Sequence, residues 1–354
     1  MAKKNTMRIT AGKWGWIIPI LLVVSLVANI LGLTLPFLEI NEAFHPKVIY
    51  SLPHSVHLMW EHKLYFISGL ILGFSIIFPL VKLFSLFAVW FLPWKTTTRE
   101  KILHGIELLG KWSYMDIFVV ILLLSLTSNQ SFISSTIHVG VYYFIGAITL
   151  SMFTSEIIMT LARKKYDEEF PVTFKSSKRL WMIFDNLYIG WIIPVLVFAS
   201  AAALIESLHA TFLRISQLFL VSRSFSIYEI ATLLQEQKHW ILLVIMVGTL
   251  FIIPIIRLCV LLLSWIIPMS IRNQIVAKHI IDVFSRWCML DVFGLALLLI
   301  ATEGKDLVKT EIQSGIKVVV VAIGLSYLLG LIAIVLNKAI ISRSVVPSKS
   351  SDKQ

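Results

Sequence analysis

Along this chain long apolar runs alternate with short polar, mostly basic stretches. Crossing the roughly 30 Å of hydrocarbon in a bilayer takes about 20 residues of helix. Eight runs qualify, at residues 14–36, 64–92, 103–127, 136–162, 189–211, 239–267, 279–301 and 313–341. Backbone groups in lipid must be satisfied within the segment, so each run is predicted as a helix and not as an open strand. The third and seventh are the least uniform, with polar residues in their first turns. The fold class this predicts is an all-α membrane protein with eight transmembrane helices.

The polar punctuation repeats at an offset of 175. Trp191-Ile192-Ile193-Pro194 falls on Trp16-Ile17-Ile18-Pro19, Pro254 on Pro79, Arg257 on Lys82 and Pro268 on Pro93. His279 falls on His104, Asp282 on Glu107, Arg286-Trp287 on Lys111-Trp112, Asp291 on Asp116, and Ser326 on Ser151. Each half holds four spans, an even number, so the second copy is expected to enter the membrane in the same direction as the first, a parallel repeat. The predicted organisation is a basic N-terminus (1–13), a first four-span module (14–162), a basic linker (163–188), a second module (189–341) and a Ser- and Lys-rich tail (342–354) expected to be disordered.

Between the first two spans of each module lies an outer loop of about 25 residues. Weak alternation around Val48–Ser51 and Arg223–Ser226 predicts a short strand in each. Ser226 with Glu229 three residues on has capping-box spacing, and Ser51 occupies the matching cap position, so a surface helix is predicted to follow. The first run is not a cleavable signal: Trp14 to Leu38 is uncharged, longer than a signal's apolar region and followed by Glu39 instead of a small-residue cleavage site.

Composition agrees with this pattern. The chain has 354 residues, 58% hydrophobic and 14% charged, with a mean hydropathy of +0.86. A soluble domain has about 45–50% and about 25%. With the N-terminus inside, nineteen Lys and Arg fall on the inner side and eight on the outer. The positive-inside rule therefore puts both termini in the cytoplasm. The net charge of +11 is mostly this topology signal plus attraction to anionic inner-leaflet lipid. The basic residues are scattered over loops and the aromatics lie in the spans, which argues against a nucleic-acid role.

Four charges stand inside the runs. Lys82 and Arg257 lie about 15 Å from the inner end of the second and sixth spans. Asp116 and Asp291 enter two to three turns into the next span, at matching depth. Pairing of Lys82 with Asp116 and of Arg257 with Asp291 is expected, because an intramembrane charge costs several kcal/mol unless it is paired or hydrated. Two readings are open: a staple fixing helix register, or a polar pathway for an amphipathic head group or a proton. Glu107 and Asp282 recur one or two turns earlier, whereas Glu156 in the fourth span has only Leu331 opposite it. Pro79 and Pro254 precede the cations by three positions and predict kinks beside them.

Other chemistry is poorly supported. Cys259 and Cys288 lack CxxC spacing and read as small buried apolar side chains. His54 and His57 share a spacing that suits one helix face, but with His45 and His62 they have no completing cysteine or close carboxylate, so no metal or cofactor is expected. No phosphate-binding glycine loop, nucleophile elbow or zincin helix occurs, and no enzyme activity is expected.

The stretches Phe78-Pro79-Leu80-Val81-Lys82-Leu83 and Lys111-Trp112-Ser113-Tyr114-Met115-Asp116-Ile117-Phe118 resemble the signatures of the paraquat-inducible protein A family. Ile253-Pro254-Ile255-Ile256-Arg257-Leu258 and Arg286-Trp287-Cys288-Met289-Leu290-Asp291-Val292-Phe293 are altered versions of both. The resemblance covers residues 14–340, and its specificity lies in the Trp–Asp motif following the Pro–cation motif. It implies a Gram-negative inner-membrane protein of two four-span modules, working with a periplasmic tunnel of mammalian cell entry (MCE) domains to load or extract lipid. It also implies that Lys82, Asp116, Arg257 and Asp291 line or gate the pathway, with Trp112 and Trp287 as residues of the motif. Well-known members carry zinc-ribbon cysteines before each module, and this chain has none in 1–13 or 163–186.

Overall fold

The computed structural model describes residues 7, 12, 14–42, 48–127, 133–169, 190–217, 221–303 and 310–344. Among them eight helices are long and apolar enough to cross a membrane: Trp14–Thr34, Ser68–Phe91, Thr97–Thr127, Val139–Lys164, Ile192–His209, Trp240–Ile266, Arg272–Ala301 and Gly315–Val335, the first to eighth spans. The chain is a mostly helical, multi-pass membrane protein. The third and seventh spans begin earlier than hydropathy alone placed them, because their polar first turns continue the same helix. Most of the linker, the tail beyond Ser344, His45 and the side chain of Glu107 lie outside the described residues.

The chain divides into two compact units. One holds the first repeat with Leu233–Leu243 and Leu295–Glu303; the other holds the remainder of the second repeat. Their cores use the same positions. Ile18, Leu22, Leu83, Leu86, Trp90 and Ile158 pack together in the first, and Ile193, Val197, Leu258, Leu261, Trp265 and Ala333 in the second. Lipid tails are as apolar as leucine, so such contacts are held by close packing and polar links more than by exclusion of water. Gly32 lets the first span touch the fourth: a Cβ there would stand 2.8 Å from the Phe144 backbone. Ser25 Oγ donates to the Ala147 carbonyl across the same seam at 2.9 Å. Trp16, Phe66, Phe153 and Val244 point outward, exposed as lipid-facing side chains are.

Each unit carries one small antiparallel sheet. Strands β1 (Leu38–Glu42), β2 (Val48–Tyr50) and β3 (Ile133–Ile137) run in the order β2-β1-β3, and β4 (Leu213–Gln217), β5 (Val221–Phe225) and β6 (Thr310–Ile312) in the order β5-β4-β6. The registers coincide under the offset: Leu38 faces Tyr50 and Ile137, and Leu213 faces Phe225 and Ile312. The third strand of each sheet was not predicted. In the first repeat it takes Thr136 and Ile137 from the start of the fourth run, so that helix begins at Val139, and in the second it ends just before the eighth run, whose helix begins at Gly315. These strands bring the loop after the first span beside the loop after the third. Gly140 and Gly315 then start the last helix so close to Pro36 and Thr211 that a Cβ would lie 2.4 and 2.2 Å from their carbonyl oxygens.

A ten-residue helix follows β2 (Leu52–Glu61) and β5 (Ile227–Glu236). The second opens with the expected capping box: Ser226 N–H donates to Glu229 Oε2 at 2.8 Å, and Glu229 N–H to Ser226 Oγ at 3.2 Å. Ser51 makes no side-chain cap; Pro53 stands in the first turn instead. Both helices end on a lysine with positive φ, Lys63 and Lys238, at equivalent positions. Leu64 N–H reaches the Met59 carbonyl and His239 N–H the Leu234 carbonyl, which closes a Schellman motif in each copy.

Candidate functional site

The site grows from two helix interruptions. Pro79 has no N–H for the Ser75 carbonyl four residues back, and an α-turn there would clash with its ring. The preceding turn widens into a π-helix, Ile71–Ile77, closed by Phe78 N–H on the Gly73 carbonyl. Pro254 does the same to Gly248–Ile252, closed by Ile253 N–H on Gly248. The α-helix resumes at Phe78 and Ile253 with proline at its second position, where the missing donor is harmless.

The neighbouring spans break at the same level. In the third, a 3₁₀ turn, Lys111–Tyr114, separates Thr96–Gly110 from Met115–Thr127. In the seventh the helix stops at Trp287 and restarts at Leu290. Met289 N–H at that break donates to the Thr249 carbonyl in the π-turn at 3.4 Å, so one interruption helps satisfy the other. On the first-repeat side the Trp112 ring lies 6.1 Å from Phe74 of the π-turn. The seventh-span break creates a helix N-terminus in mid-chain with Asp291 in its first turn, and Asp116 stands at the equivalent place just after the 3₁₀ turn of the third. The partial positive charge at the seventh-span break favours a carboxylate.

The cations lie deep. Lys82 is 2% exposed and Arg257 9%. They do not pair with the aspartates as expected. Among the described residues Glu156 of the fourth span is the charge that acts on Lys82. Arg257 donates from Nη1 to Ser326 Oγ at 2.8 Å and from Nη2 to the Ser326 carbonyl at 3.3 Å, again in the last span of the repeat. Equal depth did not settle direction around the helix axis: the cations face the last span, while Asp116 faces the π-turn. Among the described residues Asp116 Oδ2, Ser75 Oγ and Ser113 Oγ are buried with no hydrogen bond of ordinary length, and Ser75 is the side chain that acts on the Asp116 carboxyl. Asp291 Oδ2 instead accepts from the Tyr327 hydroxyl. Glu156 and Asp282 are half-buried.

Ser75, Ser113, Ser326 and Tyr327 were missed by sequence reasoning. Ser326 left a signal, since it closes the offset match onto Ser151. The two cations also meet different glycines. A Cβ at Gly330 would stand 3.3 Å from Arg257 Nη2, whereas position 155 in the first repeat tolerates serine; a Cβ at Gly110 would stand 3.6 Å from Lys82 Nζ. No group of three metal-binding side chains occurs among the described residues. His57 pairs with Glu61 at 3.2 Å, and His138 with Glu39 at 2.8 Å.

The paired breaks, each flanked by a Pro–cation and a Trp–Asp motif, recur where a single family matches the sequence twice. Residues 18–162 and 193–337 both match the family described as Paraquat-inducible protein A, and their limits differ by the same 175. The chain belongs to that family. It is also similar to a protein of Haemophilus influenzae named "Probable intermembrane transport protein", with 32% identity over 111 residues. That match spans 30% of this chain and only 27% of the relative. No solved structure matches the chain.

Proposed function

We propose that this protein is the inner-membrane component of an envelope lipid-transport system, non-enzymatic, which loads or extracts phospholipid for a periplasmic tunnel of MCE domains. Both termini lie in the cytoplasm, the two modules are parallel copies, and the sheets with their helices stand on the periplasmic side. The observation that carries this reading is the duplicated, desolvated cation beside a π-turn and a broken neighbouring span. Buried cations in the membrane interior are costly to keep, and broken helices at membrane depth line substrate sites in transporters. The name of the Haemophilus relative supports the class of cargo movement, and family membership supports the setting.

The test is purification of the full chain with whatever co-elutes. Recovery of an MCE-domain chain together with bound phospholipid supports the reading. Asp116→Asn and Asp291→Asn variants that traffic lipid at the wild-type rate would reduce the chain to a scaffold for a periplasmic partner.

A second reading is favoured by one asymmetry, the acid Glu156 acting on Lys82 with Asp116 buried nearby in the first repeat alone. Those groups suit a self-contained, proton-coupled transporter of a small amphipathic solute. Solute uptake into vesicles driven by a pH gradient, in the absence of any partner, separates it from the first reading.

A further inference from the structure

The repeats diverge on one exposed helix face. Thr97, Glu100, Lys101 and Gly105, all exposed at the start of the third span, become Arg272, Ile275, Val276 and Ile280, all exposed at the start of the seventh. The face is polar in one copy. In the other it is apolar, with an arginine at its head. Under that apolar face a groove of about 280 Å³ opens between Ile253–Ile266 and Ile271–Trp287, walled by Val260, Leu263, Met269, Val276 and Ala277.

The lining Ser264 is bonded on both its side chain and its carbonyl. Ser264 Oγ donates to the Leu261 carbonyl at 2.8 Å, and the Gln274 side-chain amide donates to the Ser264 carbonyl at 2.9 Å. An occupant therefore gains by apolar contact along the groove, with the exposed Asn273 the other polar residue of its lining. The volume, below the usual range for a whole small-molecule ligand, suits a single hydrocarbon chain. In the first repeat the walls Met269 and Ala277 are replaced by the larger Trp94 and Ile102, and Val276 by Lys101.

We infer that this groove seats one acyl chain of a phospholipid drawn from the surrounding bilayer, with the phosphate held by Arg272, which makes the second repeat the lipid-docking side of the chain. The inference rests on the lipid-transport reading and names where its cargo first binds. Charge complementarity selects the occupant: the exposed Arg272 precedes the lining Asn273 and stands one helical turn before the lining Val276, and none of the lining residues is charged.

The test uses the full chain in nanodiscs containing phosphatidylglycerol with a photoreactive group midway along one acyl chain, followed by peptide mapping. Labelling is expected on 260–280 and not on the matching 85–105. Val276→Lys with Ile280→Gly, which installs the first repeat's surface residues, is expected to lower that labelling about tenfold, equivalent to a tenfold loss of affinity. Ala277→Phe, which fills the groove, is expected to do the same, and Arg272→Gln to weaken phosphatidylglycerol labelling more than that of a photoreactive diacylglycerol. Equal labelling of both repeats, undiminished labelling in the surface double variant, or crosslinking of this face to a protein chain instead of lipid would overturn the inference. Lipid transfer measured alongside separates the two levels. Labelling lost with transfer intact would sink the transport role of the groove; even labelling with transfer lost in Lys82→Met would sink the groove and leave the transport reading standing.

Discussion

At the scale of single residues, the two cations have reached different solutions. Arg257 spends two donors on Ser326, whereas Glu156 is the charge that acts on Lys82 among the described residues. Ser326→Ala leaves an arginine donor without its hydroxyl, and a buried unsatisfied donor costs about 1–3 kcal/mol. The variant is expected to lower the thermal midpoint of the detergent-solubilised protein, and an unchanged midpoint would remove Ser326 from the account. Lys63 and Lys238 hold a left-handed conformation that costs an L-residue about 1–2 kcal/mol. Lys63→Gly is expected to match or exceed wild-type stability and Lys63→Val to fall below it. His239 donates or accepts with Tyr142 OH at 3.1 Å, and burial lowers its pKa below 6.5. The fold thus favours the neutral ring. That contribution is complete above pH 6.5 and is lost as pH falls through the lowered value. The midpoint should decline on acidification, and less steeply in His239→Asn.

At the scale of elements, the sequence read the spans well because length and hydropathy decide them. It read the interruptions only as kinks. Proline announces that a bond is missing, but whether the chain answers with a bend or a π-turn depends on what receives the freed carbonyl, and Met289 lies in another span. The pairing of Lys82 with Asp116 failed for a related reason. Depth can be counted along one helix, whereas azimuth depends on the π-turn upstream and on the break in the neighbour. The third strand of each sheet was hidden because Ile133–Ile137 gains its order from Leu38–Glu42, nearly a hundred residues earlier in the chain. Gly140 and Gly315 hold the junction of sheet and last helix. Gly315→Ala forces a Cβ onto the Thr211 carbonyl, and overpacking of this kind costs about 1–3 kcal/mol. A lower yield of folded protein and a lower midpoint are expected, with Gly324→Ala, where a Cβ meets nothing, as the silent control.

At the scale of the molecule, duplication is the organising fact. Cores, sheet registers, Schellman ends, π-turns and span breaks all recur at one offset, and the family matches twice with the same displacement. Departures from symmetry are therefore informative. Glu156 and the buried polar cluster of Asp116, Ser75 and Ser113 belong to the first repeat, and the apolar groove walled by Val260, Val276 and Ala277 to the second. The central claim is that the buried cations serve phospholipid movement and do not merely pin helices together. Lys82→Met and Arg257→Met remove a buried charge but leave Glu156 and Ser326 in place, and losing one partner of a buried contact lowers stability, so transfer is compared per folded protein. Phospholipid transfer by the reconstituted full chain, normalised to folded protein, should fall about tenfold or more in each, the equivalent of at least about 1.4 kcal/mol. Wild-type transfer rates in both variants would contradict it.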